Sequence, residues 1–346
     1  MTKREKTITE YIIEEQRKSP GATGGFSALL NDIRLGCKRI AHLVGKGALA
    51  GIPPGQLRQV AHDSFLRTNE WGGHLAALAS KATMAISPIP REYPRGRYLL
   101  IFDPLVGAPG LEVNAVAGSL FSVLRLPEGA HEPSERDFLQ PGAKQVCAGY
   151  AIYGPTTMLV YALEGGVNGF TLDREMGEFI LTHPGMRVAG ETSEFAINTS
   201  NARFWEPAVK RYVDECLAGK SGPRGCDFNM RWAASLVADA HRILLRGGVF
   251  LYPCDSRDEA REGRHELVFE ANPIGWVIER AGGRASTGEV PLLDIEPAAL
   301  RQRTALVFGS RAEVERIERY HRDHNVREFD HPLFGSRGLF RTSTEV

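Results

Sequence analysis

The stretch that decides the fold reads Y-L-L-I-F-D-P-L-V-G-A-P-G and covers residues 98–110. Its first half is a continuous apolar run, which is typical of a strand buried on both faces. The run ends near Asp103 and passes into a glycine-rich turn, where backbone N–H groups and an acidic side chain suit a phosphate group or a metal ion. Val106 and Pro109 stand where polar ligands are expected. The stretch therefore predicts the frame of such a site without its full set of ligands.

The composition is that of a globular protein without a charge excess. The 346 residues include 42 basic and 42 acidic side chains, which argues against nucleic acid or a membrane surface as a partner. No apolar run approaches the ~18 residues that span a bilayer, and the charged first residues do not resemble a secretory signal. The five cysteines have no metal-ligand spacing. We therefore predict free thiols and a cytoplasmic protein.

The first half of the chain changes from helical to β-rich patterning. Apolar residues at helical spacing predict three helices, the third over residues 56–81. Short β-rich runs between turns predict a largely antiparallel sheet over residues 98–187, with a hairpin connection at residues 153–156.

Helices and strands alternate in the second half. Apolar residues from Met230 to Leu244 predict one helical face. Leu267-Val268-Phe269 is predicted as a strand, and Ser310 with Glu313 as a capping box at the start of a later helix. The chain is therefore divided into an N-terminal domain over 1–190, a C-terminal domain of mixed sheet and helices over 191–325, and a polar tail over 326–346.

Seven segments along nearly the whole chain carry a resemblance to a known family. They are Phe65–Gly73, Tyr93–Tyr98, Gly149–Pro155, Val167–Asp173, Phe195–Asn198, Val237–Arg242 and Phe269–Pro273. In this order they resemble class I fructose-1,6-bisphosphatases, most closely the bacterial forms of carbon-fixation operons. The resemblance implies an α/β protein of layered α-β-α-β-α sugar-phosphatase fold, usually a homotetramer. The implied reaction is the Mg²⁺-dependent removal of the 1-phosphate from fructose 1,6-bisphosphate, in the Calvin cycle or gluconeogenesis.

The positions that correspond to the family's metal ligands are largely substituted. Of six carboxylates that the resemblance places around the ions, only Asp103 and Glu270 remain as residual ligands. The other four positions are Arg58, Lys81, Ala82 and Val106. Mg²⁺ requires several hard oxygen ligands, so binding of the family's cofactor is doubtful here and no residue is assigned a catalytic role.

The positions that correspond to the family's sugar and 6-phosphate contacts are largely kept. By resemblance they are Asn198, Arg231, Tyr252 and Arg264, with Arg231 contributed across a subunit interface. Arginine suits bidentate phosphate contacts. Two further family tyrosines correspond to Trp232 and Asn201, so the match is good but incomplete.

Two functions remain open from the sequence. One is a working phosphatase acting on fructose 1,6-bisphosphate. The other is a non-catalytic subunit that binds a sugar phosphate, possible also in mixed oligomers with an active paralogue. The four substitutions make the pocket about six charge units more positive, close to the charge that two or three Mg²⁺ ions supply. Either Arg58 and Lys81 replace the electrostatic role of the metal, or an unused site has decayed.

Overall fold

The structure is a computed structural model and describes residues 5–18, 24–83, 85–129, 132–257 and 262–323. The tail predicted over 326–346 lies outside the described residues. None of the helices in the described part of the chain combines the length and apolar character that crossing a bilayer requires.

The described residues form helices and strands in the following order. The helices are α1 (Ile8–Lys18), α2 (Gly24–Lys46), α3 (Pro54–Asn69), α4 (Glu135–Phe138), α5 (Pro207–Leu217), α6 (Leu236–Arg246), α7 (Asn272–Arg280) and α8 (Arg311–Arg322). The strands are β1 (Leu75–Ser80), β2 (Ile86–Pro88), β3 (Tyr98–Val106), β4 (Ala117–Arg125), β5 (Cys147–Tyr153), β6 (Thr157–Leu163), β7 (Gly166–Asp173), β8 (Glu178–His183), β9 (Glu194–Ile197), β10 (Asn229–Met230), β11 (Val249–Tyr252), β12 (His265–Glu266), β13 (Arg284–Ser286), β14 (Arg303–Thr304) and β15 (Leu306–Gly309).

The first sheet has eight strands in the order β2-β1-β3-β4-β5-β6-β7-β8. All neighbours are antiparallel except β1 and β3, which run parallel with Leu78 opposite Leu100. The hairpin predicted at residues 153–156 is confirmed, because it joins β5 to β6. The helix predicted over residues 56–81 is wrong in its second half. It ends at Asn69, and residues 75–80 form a strand whose residues are all buried. A short, wholly apolar run does not distinguish a buried strand from a helix.

The second sheet has five strands in the order β10-β9-β11-β15-β13. Helices α1–α3 pack on the outer face of the first sheet, α6 and α7 lie between the two sheets, and α5 and α8 cover the outer face of the second sheet. The predicted α-β-α-β-α layering is therefore the observed one. It arises because each sheet is apolar on both faces and must be covered twice.

Three local predictions in the second half are corrected. Met230 lies in β10, and the helix begins only at Leu236. Leu267–Ala271 is a turn of π-helix leading into α7, and all five of its residues are buried, Glu270 included. Ser310 does not cap α8, because its Oγ accepts a hydrogen bond from the Gly248 N–H at 3.2 Å. Glu313 is likewise bound by other helices and loops rather than by the helix start.

Candidate functional site

The acidic residue of the opening stretch lies inside the first sheet. Strand β3 continues past Asp103 to Val106, with an irregular register against β4 between these residues. Asp103 is 1% exposed, and its Oδ1 accepts a hydrogen bond from the Leu105 N–H at 3.3 Å. The chain then turns at Gly107, whose φ of +78° favours glycine. The local fold thus fixes the carboxylate at the base of the glycine-rich turn.

Lys81 lies between the two carboxylates that the resemblance identifies as residual metal ligands. Its Nζ is 2.8 Å from Oε1 of Glu270 and 3.5 Å from Oδ2 of Asp103. Arg58, on α3, adds a second cation, with its Nη2 3.0 Å from Oδ1 of Asp103. The structure therefore brings together four residues that are far apart in sequence, as the resemblance predicts. It also shows that both carboxylates are bound by cationic side chains.

Two further residues extend this group, and the sequence reasoning missed them. Oε1 of Glu266 is 2.9 Å from Nη2 of Arg301. The Nη1 of Arg301 also donates to the backbone carbonyl of Lys81 at 2.9 Å. Only the four-residue spacing of Glu266 and Glu270 hinted at a shared site. We call the six residues Arg58, Lys81, Asp103, Glu266, Glu270 and Arg301 the ion-pair cluster.

Burial and charge act in opposite directions on the acids of the cluster. Burial raises the pKa of Asp103 above its usual value, although Lys81 and Arg58 oppose this effect. Burial also opposes ionisation of Glu270, but attraction by His265 and Lys81 outweighs it and holds the pKa of Glu270 well below its usual range. Glu270 is therefore firmly ionised, and it needs its cationic partner.

The residues present do not fit a Mg²⁺ site. Within the described ranges, no group of three or more His, Cys, Asp and Glu side chains has an arrangement that holds a metal ion. The side chains of Val106, which is buried, and of Ala82 have no ligand atom, and the backbone N–H of Ala82 donates to Ser80 Oγ at 3.2 Å. A divalent ion at Asp103 and Glu270 has to displace the ammonium of Lys81, which is covalently held in place.

A second region, at the carboxyl end of β11, is open and positively charged. A cavity of about 650 Å³ is lined by Tyr252, Pro253, Cys254, Asp255, Arg257, Gly263, Arg264 and Arg303. The Arg264 guanidinium lies 5.5 Å from the centre of the Tyr252 ring. Tyr252 also borders a small adjoining pocket that contains Asn198, whose side chain accepts from the Ser200 N–H at 3.2 Å. Three of the four predicted sugar-phosphate residues thus lie close together.

Arg231 is the fourth of these residues and does not line this cavity in the single chain. Its side chain is 54% exposed, and its Nε is 3.9 Å from Oε1 of Glu194. The neighbouring Trp232 instead stacks on Phe250, with ring centroids 5.5 Å apart. Arg231 is thus exposed at the surface of the single chain, with Glu194 as its ion-pair partner.

The alternation of three helical layers with two sheets defines the class of the protein, a layered α/β fold. Comparisons with known proteins give the same result. The N-terminal domain of fructose-1-6-bisphosphatase matches residues 6–184, and its C-terminal domain matches residues 188–322. The chain therefore belongs to the fructose-1,6-bisphosphatase family.

Relatives and solved structures agree along the whole chain. The chain is 57% identical to fructose-1,6-bisphosphatase class 1 of Hydrogenophilus thermoluteolus, covering 98% of both chains. It is 53% identical to fructose-1,6-bisphosphatase class 1 3 of Methylibium petroleiphilum, covering 96% of this chain and 97% of that one. The crystal structure of Leishmania major fructose-1,6-bisphosphatase in its holo form is 32% identical, with a TM-score of 0.85 over 92% of this chain and 99% of that one.

Proposed function

We propose that this chain is a fructose-1,6-bisphosphatase-family protein with weak or lost phosphatase activity, which binds a sugar phosphate. The observation that carries the proposal is the position of Lys81 Nζ, 2.8 Å from Glu270 and 3.5 Å from Asp103. The family resemblance implies that Mg²⁺ polarises the phosphoryl group and stabilises the leaving oxygen. Losing such an ion removes several kcal/mol of transition-state stabilisation.

The chain's own residues support binding better than hydrolysis. The turn after β3 offers Gly107, Ala108 and Pro109, and Pro109 has no backbone N–H to donate to a phosphate. In the ion-pair cluster each of the three carboxylates contacts a cationic side chain within 3.0 Å. By contrast, the cavity beside Tyr252 retains Arg264 at its wall, and Asn198 adjoins it. We therefore infer that the sugar-phosphate contacts persist where the hydrolytic apparatus is lost.

A working phosphatase is the second candidate, and one observation favours it. Identity of 57% along the whole length to a protein named fructose-1,6-bisphosphatase class 1 makes hydrolysis of fructose 1,6-bisphosphate, in the Calvin cycle or gluconeogenesis, the natural alternative. We further propose two domains, 1–190 and 191–325, a homotetramer that also forms with an active paralogue, and a cytoplasmic location.

Phosphate release separates the two candidates. The purified chain, made in a host without its own fructose-1,6-bisphosphatase, is assayed with fructose 1,6-bisphosphate and Mg²⁺ or Mn²⁺, and ligand binding is measured by calorimetry with EDTA. We expect binding without measurable turnover. Turnover at ordinary enzyme rates of ~1–10³ s⁻¹ that EDTA abolishes contradicts the proposal and establishes the phosphatase.

Restoring the four carboxylates tests whether their replacement causes the weak or lost activity. The quadruple variant Arg58→Asp, Lys81→Glu, Ala82→Glu and Val106→Asp should release phosphate at least about tenfold faster than the wild-type chain with Mg²⁺, because a ligand set for the ion is rebuilt. The double variant Arg136→Asp and Lys220→Glu makes charge reversals at exposed positions and should leave the rate unchanged. An equal rate in all three proteins, with folding intact, contradicts the assigned cause.

A further inference from the structure

We propose that the ligand of this chain is a sugar carrying a single phosphate, held in the cavity beside Tyr252 by Arg264 and Arg303, and that a second phosphate on the ligand adds little affinity. The inference rests on the proposed function, since it names the ligand class of that binding site. It follows from comparing the net charge of the ion-pair cluster with the net charge of the cavity beside Tyr252.

The ion-pair cluster has no spare positive charge for a phosphate. Its three cations are Arg58, Lys81 and Arg301, and its three carboxylates are Asp103, Glu270 and Glu266, so that three minus three leaves a net charge of zero when the adjoining His265, 3.6 Å from Glu270, is neutral. Each cation contacts at least one carboxylate within 3.0 Å. The cationic side chains here already form ion pairs with carboxylates of the same chain. An incoming phosphate therefore has to break buried ion pairs.

The cavity beside Tyr252 has an excess of positive charge. Of the described residues, three arginines and one carboxylate line it, which gives these residues a net charge of two. The carboxylate of Asp255 is occupied by Arg257, with Oδ1 3.0 Å from the arginine Nε. Among the described residues, neither Arg264 nor Arg303 forms an ion pair. Two unpaired guanidinium groups match one phosphate dianion, which carries about two charges at neutral pH.

The backbone holds these two arginines near one another. Strands β12 and β14 are antiparallel and pair His265 with Thr304 and Glu266 with Arg303, so Arg264 and Arg303 lie diagonally across the His265–Thr304 pair, on the same face of the two strands. Gly263 has a φ of +73°, and a Cβ there would lie 2.2 Å from the carbonyl carbon of Thr304. The two segments therefore touch backbone to backbone, and Arg264 and Arg303 both line the same wall. The sequence resemblance had assigned no role to Arg303.

Calorimetry on the full-length chain in EDTA tests the inference, with fructose 6-phosphate and fructose 1,6-bisphosphate as probes. We expect dissociation constants within about threefold of one another. Bisphosphate binding more than tenfold tighter overturns the single-phosphate inference but leaves the proposed binding function intact. If neither probe binds at millimolar concentration, the proposed function fails together with the inference.

A matched pair of variants tests Arg303. Arg303→Gln should weaken fructose 6-phosphate binding at least tenfold, whereas Arg136→Gln, which removes the same charge from an exposed helix, should leave it unchanged. Near-identical thermal unfolding midpoints verify that both variants fold. Equal affinity in wild type and both variants overturns the role of Arg303.

Discussion

At the scale of single residues, Lys81 decides the chemistry of the site. Its ammonium carries one charge on a flexible stem and reaches both Asp103 and Glu270. A bound divalent ion can leave and carries two charges, whereas a lysine is permanent and exchanges no ligands with a substrate. We therefore expect the lysine to stabilise the buried acids and to supply no Lewis-acid chemistry to the site.

Replacing Lys81 should lower the stability of the protein and open the site to a divalent ion. Lys81→Met leaves two buried carboxylates under-compensated, and we expect the free energy of unfolding to fall by about 3 kcal/mol in urea titrations. We also expect Mn²⁺ to raise the melting temperature of this variant, but not that of the wild-type chain, because the ammonium no longer blocks the ion.

The control is Lys220→Met, since Lys220 pairs with Asp227 at the surface. It should change stability by less than about 0.5 kcal/mol and gain no response to Mn²⁺. A stable Lys81→Met variant without any Mn²⁺ response would contradict the assigned role of Lys81.

Residue-level reasoning from the sequence reached only part of this site. Arg58 and Lys81 were recognised as substitutions because they fall within motifs with fixed neighbours. Glu266 and Arg301 belong to no such motif and are joined only by the fold, so their membership of the cluster was not predictable. The neutral charge of the cluster agrees with the sequence, because Arg58 and Lys81 already balance Asp103 and Glu270, and Glu266 with Arg301 adds no net charge.

At the scale of elements, the contact between α6 and β5 makes stability depend on pH. The Nδ1 of His241 lies 2.9 Å from the hydroxyl of Tyr150 in the layer between the sheets. Burial, with a smaller effect of His183, lowers the pKa of His241 to about 4. The folded protein therefore binds fewer protons here than the unfolded chain does.

The sign of the effect follows from this difference. The contribution of His241 is complete above its unfolded pKa of about 6.5 and is lost as the pH falls toward 4. Between pH 7.5 and pH 5 we expect a loss of about 2 kcal/mol from this group. His241→Gln should remove that part of the pH dependence in urea titrations, whereas His42→Gln, at an exposed position, should retain it. If the free energy of unfolding falls equally between pH 7.5 and pH 5 in the wild-type chain and in His241→Gln, the role of His241 is contradicted.

The corrected elements share a physical cause. Residues 75–80 and Leu267–Ala271 are short runs buried on every side. Without alternating polar positions, neither run shows the period of a strand or a helix. Long amphipathic helices such as α2, by contrast, were predictable because one face meets water.

At the scale of the whole molecule, the exposed Arg231 points to binding sites shared between subunits. The family resemblance implies that this arginine acts across an interface, and its absence from the cavity wall within one chain supports this proposal. Closed symmetric oligomers supply such a residue to every site reciprocally.

Mixed oligomers test this arrangement. Arg231→Ala and Arg264→Ala should each abolish high-affinity binding of fructose 6-phosphate. When the two variants are co-expressed, about a quarter of the sites should recover wild-type affinity, since random pairing places one intact Arg264 beside one intact Arg231 in that fraction. The stoichiometry is measured by calorimetry and the assembly by light scattering. If the Arg231→Ala protein, expressed alone, binds fructose 6-phosphate with wild-type affinity, Arg231 does not contribute to the binding site.

The sequence by itself determined the family and the layered α/β class, because these depend on local motifs and on apolar periodicity along the chain. The tertiary structure decided where the remaining charges go. Only the fold places Lys81 between Asp103 and Glu270, adds Glu266 and Arg301 to the cluster, and leaves Arg264 and Arg303 unpaired within the described residues. Electrostatic energy depends on distances between atoms in space, and residues far apart in sequence acquire those distances only when the chain folds.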